Sequence, residues 1–147
     1  MMLFSDSRKR KIVATSTAQT VGRVHHFVVD PATRSVVALG VKKASSGDTL
    51  RWSDVVGFGA DAVTVSGADR ITDAPPDVTA LSGKEHEILG KRALSTAGDD
   101  LGTVEDVDFD PTSGVISKIV MSTHDDIEGG RLIGVGSYAV VVASATV

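Results

Sequence analysis

The sequence contains no cysteine, which excludes thiol catalysis, a disulfide framework and cysteine-ligated zinc. Aromatic residues are 4% of the chain, too few for a platform on which successive bases could stack. Proline is scarce, with 4 in 147 residues, and two of these are adjacent at Pro75 and Pro76. There is no long apolar run. The opening stretch MMLFSDSRKRK turns polar within a few residues, so neither a signal peptide nor a membrane anchor is expected there, and a cytoplasmic protein is. An overall excess of positive charge is missing too: the net charge of −4 argues against a chain-wide polyanion binder. What is present is globular in balance, 41% hydrophobic and 23% charged, and long enough for one ordinary domain or two very small ones.

The chain repeats itself. VGRVHHFVVDPATRSVVALGV (Val21 to Val41) aligns with LGTVEDVDFDPTSGVISKIVM (Leu101 to Met121) at a constant offset of 80, with four of 21 positions identical. VGFGADAVTV (Val56 to Val65) aligns with IGVGSYAVVV (Ile133 to Val142) at an offset of 77, with five of ten identical. Two similar blocks in the same order and at similar spacing indicate a tandem duplication.

Each copy has the composition of β structure: short runs rich in Val, Ile, Thr and Phe, divided by turn signals. Strands are predicted near Ile12–Thr15, Val21–Val29, Val36–Lys42, Leu50–Ser53 and Ala62–Val65. Their counterparts are Arg92–Ser95, Leu101–Phe109, Val115–Thr123, Arg131–Ile133 and Ala139–Val142. Asp-Pro after each long strand is a turn in which Asp bonds forward to the backbone and Pro presets φ. Gly114 supplies a left-handed residue to the second hairpin; Arg34 stands in its place in the first, so that turn is either strained or differently shaped. Apolar residues fall at Val24, Phe27 and Val29, and again at Val104, Val107 and Phe109. The step of three and then two breaks strict alternation and predicts a β-bulge, which lets short strands curl into a closed sheet. The expected architecture is all-β: two small tandem barrels over residues 1–67 and 84–147, joined by a proline-containing linker over 68–83. Ser82 and Glu85 have capping-box spacing, which predicts a short helix from Gly83 to Leu89.

Several motifs invite a chemical reading and fail it. GFGADA and GVGSYA fit a dinucleotide-binding glycine pattern, but strand sequences follow where a helix must stand, so Gly57, Gly59, Gly134 and Gly136 are expected to serve turns alone. The glycines at 83 and 90 are too far apart for a phosphate loop, and HEILG lacks the second histidine of a zinc-protease helix. Asp106, Asp108 and Asp110 alternate like calcium ligands but lack the loop's glycine and terminal glutamate, and are expected to form the solvated face of a strand. Of the histidines His25, His26, His86 and His124, the adjacent pair points to opposite strand faces and cannot chelate one metal well. No nucleophile elbow or catalytic His/Asp spacing is present. No catalytic, cofactor-binding or metal-binding residue is assigned, and the chain is expected to be non-enzymatic.

Gly-x-Val, a long strand, Asp-Pro, a hairpin, an apolar strand, then Trp-x-Asp-Val and Gly-x-Gly before a final valine strand: this order resembles the PRC-barrel family, in two copies. LGKRALSTAGDDLGTVEDVDFDPTSGVISKIV (Leu89 to Val120) is similar to the family's opening half throughout. Copy one departs at Arg34, and copy two has GRLIGVG in place of the tryptophan segment. The family includes the cytoplasmic part of the photosynthetic reaction-centre H subunit, the C-terminal domain of a ribosome-maturation factor and many stand-alone prokaryotic proteins. The resemblance implies docking to other macromolecules without chemistry of its own.

The function expected is therefore that of a cytoplasmic adaptor or regulatory scaffold acting through protein–protein contacts. Small-ligand or cation binding between the barrels, and ribosome or RNA association, are the alternatives. Charge supplies the candidate surface. Copy one carries a net +4, with Arg8, Lys9, Arg10 and Lys11 at its entry, while copy two carries −6, including Asp106, Asp108, Asp110, Asp125 and Asp126. Opposite fields of this kind orient partners and suit self-association through the basic copy of one chain and the acidic copy of another. Trp52, the only tryptophan, is either a core plug or an interaction anchor.

Overall fold

The computed structural model describes residues 2–123 and 125–144; His124 lies outside the described residues. The first half contributes β1 (Met2–Leu3), the short helix α1 (Phe4–Ser7), β2 (Lys11–Ala14), β3 (Gln19–Asp30), β4 (Ser35–Lys42), β5 (Thr49–Arg51), β6 (Val55–Phe58), β7 (Ala62–Val65) and β8 (Ile71–Thr72). After α2 (Pro76–Thr79) come β9 (Arg92–Ser95), β10 (Asp100–Phe109), β11 (Ile116–Met121), β12 (Ile127–Glu128), β13 (Leu132–Val135) and β14 (Ala139–Val142). No helix is long and apolar enough to cross a membrane.

These strands form two sheets with one pattern. The first runs β6-β7-β2-β3-β4-β5-β8, and the second β13-β14-β9-β10-β11-β12, with β1 added to β10. Bulges fall at matching places in both. Between Val24 and His26, and between Val104 and Asp106, β3 and β10 each carry one residue more than the facing strand, where the broken alternation predicts it. Val56 and Ile133 are the extra residues of β6 and β13. Each such insertion bends its strand and increases twist, so both sheets curl into half-barrels.

The concave faces share one core. Phe109, fully buried, touches Phe4, Phe27 and Phe58 with ring centroids 5.4 Å away in each case, and Trp52 at 6.1 Å. Val29 and Val107 are buried as the aligned register requires, and Phe27 is half-buried against the same cluster. The hairpin ends add a reciprocal backbone seam. Val36 N–H donates to Gly114 O at 2.8 Å, Ile116 N–H donates to Arg34 O at 3.0 Å, and Ser35 bridges Val115. The alignment exchanges the two bonds, 36 for 116 and 34 for 114, and the bridged residues Ser35 and Val115 are aligned with each other, so the seam has local two-fold character.

The sheets do not divide at residues 67 and 84. β1 pairs with the second sheet, Met2 opposite Phe109 and Leu3 opposite Asp108. The 68–83 segment supplies β8 to the first sheet, and Val78 of α2 is buried beside Val28 and Ala38. Pro76 stands in the first turn of α2, where its missing N–H costs nothing. No helix runs from Gly83 to Leu89. A single 3₁₀ turn covers Lys84–His86, and the Ser82 hydroxyl donates back to Val78 O at 2.7 Å in place of capping.

Local differences between the two sheets are compensated across the molecule. Arg34 takes the left-handed conformation, φ 54°, that Gly114 adopts at 79°, so the two hairpins share one shape. The Arg34 guanidinium donates through Nε to Leu132 O at 2.8 Å, which ties the strained residue to the other sheet. At the matching place Trp52 lies over Gly114, where an added Cβ would meet its ring at 2.9 Å. His26 and Gly40 are cross-strand partners, and a Cβ at 40 would sit 1.9 Å from the imidazole; the aligned pair is the smaller Asp106 against Val120. Of the four GxG glycines expected to serve turns alone, Gly57 and Gly134 lie inside β6 and β13. None of the four has positive φ, and a Cβ on Gly134 or Gly136 would meet nothing within 4 Å.

Candidate functional site

The segment joining α1 to β2 is laced onto β3. Lys9, left-handed at φ 68°, donates its N–H to Val24 O at 2.7 Å, and Val24 N–H donates to Arg10 O at 2.9 Å. Arg23 closes the loop through Nη1 to Lys9 O at 3.1 Å, and Arg8 Nε reaches His25 O at 3.3 Å. Arg8, Lys9, Arg23, Val24 and His25, together with Lys42 at the end of β4 and Lys43 beyond it, line a groove of about 800 Å³.

The electrostatics of this groove are unusual for an acidic protein. Arg23 of β3 stands opposite Lys11 of β2 on one side and Lys42 of β4 on the other. Like charges placed directly across strands destabilise a sheet. Ion pairs among the described residues join Arg51 to Asp77, Arg70 to Asp54 and Arg92 to Asp100, and none neutralises Arg8, Lys9, Arg23, Lys42 or Lys43. His25, also on the wall, has its pKa lowered by burial and then by Lys42, His26 and Arg8. At the aligned positions of the second half stand Thr103, Ser122 and Glu105, so the cationic groove belongs to the first half alone.

A smaller cleft of about 100 Å³ opens beside it, and Arg8 lines both. Its walls are Phe4 from α1, His26, Phe27 and Val29 from β3, and Glu87, Ile88 and Leu89 from the segment leading into the second half. The Phe4 and Phe27 rings stack at 4.1 Å. Burial is the main cause of the lowered His26 pKa, which favours the neutral ring.

The structure separates the candidate residues by role. Arg8 and Lys9 line the groove, and Lys11 stands in register with it. Arg10 turns inward: it donates to Gly59 O at 2.9 Å and Asp6 O at 3.0 Å and lies 5.8 Å above the Phe58 ring. Trp52 is half-buried, 5.6 Å from Phe58, which favours the plug over the anchor. Asp106 is not solvated. It is buried, accepts from the Ser5 N–H at 3.2 Å and from the Ser5 hydroxyl, and so holds α1 against β10. One Asp108 oxygen is buried without a hydrogen-bond partner among the described residues, and Asp110 accepts from Thr112 N–H at 2.8 Å within its turn. Asp125 and Asp126 are exposed. No ion pair among the described residues joins the basic half to the acidic one; apolar packing, backbone bonds and the Ser5–Asp106 and Arg34–Leu132 hydrogen bonds do.

Arg23, Lys42 and Lys43 were not singled out from sequence; His25 was weighed there only as half of a pair on opposite strand faces, whereas the bulge between Val24 and His26 brings the two rings to 5.1 Å. The available signal was a like-charged trio, which becomes visible only when the β2–β3–β4 register is known. Among the described residues no three His, Asp or Glu side chains are grouped to hold a metal. No curated protein matches the chain. Residues 84–144, which carry all of the second sheet except β1, match the family model of the PRC-barrel domain.

Proposed function

We propose that the protein is a non-catalytic cytoplasmic adaptor, built from a duplicated PRC-barrel-like unit, that docks an acidic protein partner in the first-half groove. The observation that carries this reading is the set of five cations, Arg8, Lys9, Arg23, Lys42 and Lys43, around one groove, none of them in an ion pair among the described residues. Keeping Lys11, Arg23 and Lys42 in cross-strand register costs stability that an anionic partner offsets. Among the described residues no Phe, Tyr or Trp lines the groove, and His25 is its single ring, which disfavours single-stranded nucleic acid. The duplication is supported by the matching strand orders, the matching bulges and the reciprocal seam.

The test is affinity recovery from native lysate with the wild type and with Lys42→Glu/Lys43→Glu. A stoichiometric protein retained by the wild type, lost with the charge reversal and indifferent to nuclease is expected. Recovery unchanged by the reversal refutes the assignment of the groove, and nuclease-sensitive recovery replaces the protein partner with RNA.

A further inference from the structure

The groove and the cleft form one continuous surface, because Arg8 lines both and the His25 and His26 rings, one on each wall, lie 5.1 Å apart. Their chemistries differ. The groove is cationic, whereas the cleft is walled by Phe4, Phe27, Val29, Ile88 and Leu89 and bordered by Glu87, which repels an anion. An apolar cavity of about 150 Å³ accommodates a benzene ring; one of about 100 Å³ suits a single aliphatic side chain.

We propose that the occupant of this surface is an acidic segment of a partner protein bearing one aliphatic anchor residue, with its carboxylates along the groove and the anchor in the Phe4–Phe27–Ile88 cleft. This rests on the docking function proposed above and adds the chemistry that the partner must present. The charges provide rate and orientation, and they lose strength as salt rises. The anchor provides affinity by leaving water for an apolar wall. Arg8, which lines both groove and cleft, stands at their junction, placed to hold the first carboxylate beside the anchor.

The experiment uses the full chain and two labelled peptides in fluorescence anisotropy. One is eight glutamates, and the other is the same with a leucine replacing one interior glutamate. The leucine peptide should bind about 10- to 30-fold tighter, the increment expected from burying most of that side chain. A third peptide with alanine at that place should lose most of the gain. Lys42→Glu/Lys43→Glu should weaken all three, and Leu89→Ala should weaken the leucine peptide selectively. Because the peptide series uses one unaltered protein, its outcome does not depend on any variant folding. Equal binding of the leucine and all-glutamate peptides, both weakened by charge reversal, overturns the anchor while leaving the acidic-partner function intact. No binding of any peptide at 50 mM salt and high micromolar protein, or tighter binding of an RNA oligonucleotide than of every peptide, overturns both.

Discussion

Replacing Phe109 by Ala removes the ring at which the two half-barrels meet. The side chain is fully buried in the second sheet and is contacted by Phe4, Phe27, Phe58 and Trp52, all from the first half of the chain. Truncating a buried phenylalanine costs about 3–5 kcal/mol through lost transfer energy and the cavity left behind. The edge-on contacts to Phe58 and Trp52 place the value toward the upper end. For a chain of this size each kcal/mol lowers Tm by about 2–4 °C, so a fall of about 6–20 °C is expected. Urea titration followed both by far-ultraviolet circular dichroism and by fluorescence of Trp52, the only tryptophan, gives the test. Both probes should report one coincident transition, moved to lower urea with little change in slope. Tyr138→Ala, at a side chain 76% exposed, should leave the midpoint nearly in place. A loss below about 1 kcal/mol would remove Phe109 from the centre of the core. Two separate transitions, with the Trp52 signal unmoved by the substitution, would show that the halves fold independently and would refute the shared core.

Gly114→Ala should cost at least about 1–2 kcal/mol, because position 114 is left-handed at φ 79° and its Cβ would meet the Trp52 ring, whereas Gly136→Ala should be nearly silent. Thermal melts of the two variants compare a demanding glycine with an undemanding one. The lowered pKa of His26 makes the folded state bind fewer protons than the unfolded chain, so its contribution to stability is present above the ordinary value of 6.5 and is lost as pH falls below it. Urea midpoints measured from pH 8 to 5 should decline on the acid side for the wild type, and more shallowly for His26→Gln.

Much of the local structure was legible in the residues. β7, β9 and β14 run over the predicted residues, and the broken apolar spacing at Val24–Phe27 and Val104–Val107 marks the bulges of β3 and β10. These features depend on neighbours within a few positions, where side-chain period and turn chemistry act directly. The two-residue strands β1, β8 and β12 were not legible, because a pair of residues has no period to read. β6 was hidden for a different reason: VVGF overlaps a glycine motif that reads as a corner.

Asp106 shows where such reading stops. Alternation alone places it on the wet face of its strand, but the bulge after Val104 shifts the pattern and α1 covers the position, so the carboxylate is buried on Ser5. Arg10 likewise belongs to a basic run in sequence and to the Phe58 ring in space. The sequence by itself determined the β class, the repeated order of strands, the sites of curvature and the unequal charge of the halves, since each is a property of composition or short-range pattern. Tertiary structure alone decided that the two sheets share one core, that the first strand crosses to the second sheet, and that Lys11, Arg23 and Lys42 stand abreast. Those outcomes depend on pairing between residues far apart in the chain, and side-chain period specifies which face is inside without specifying which partner will cover it.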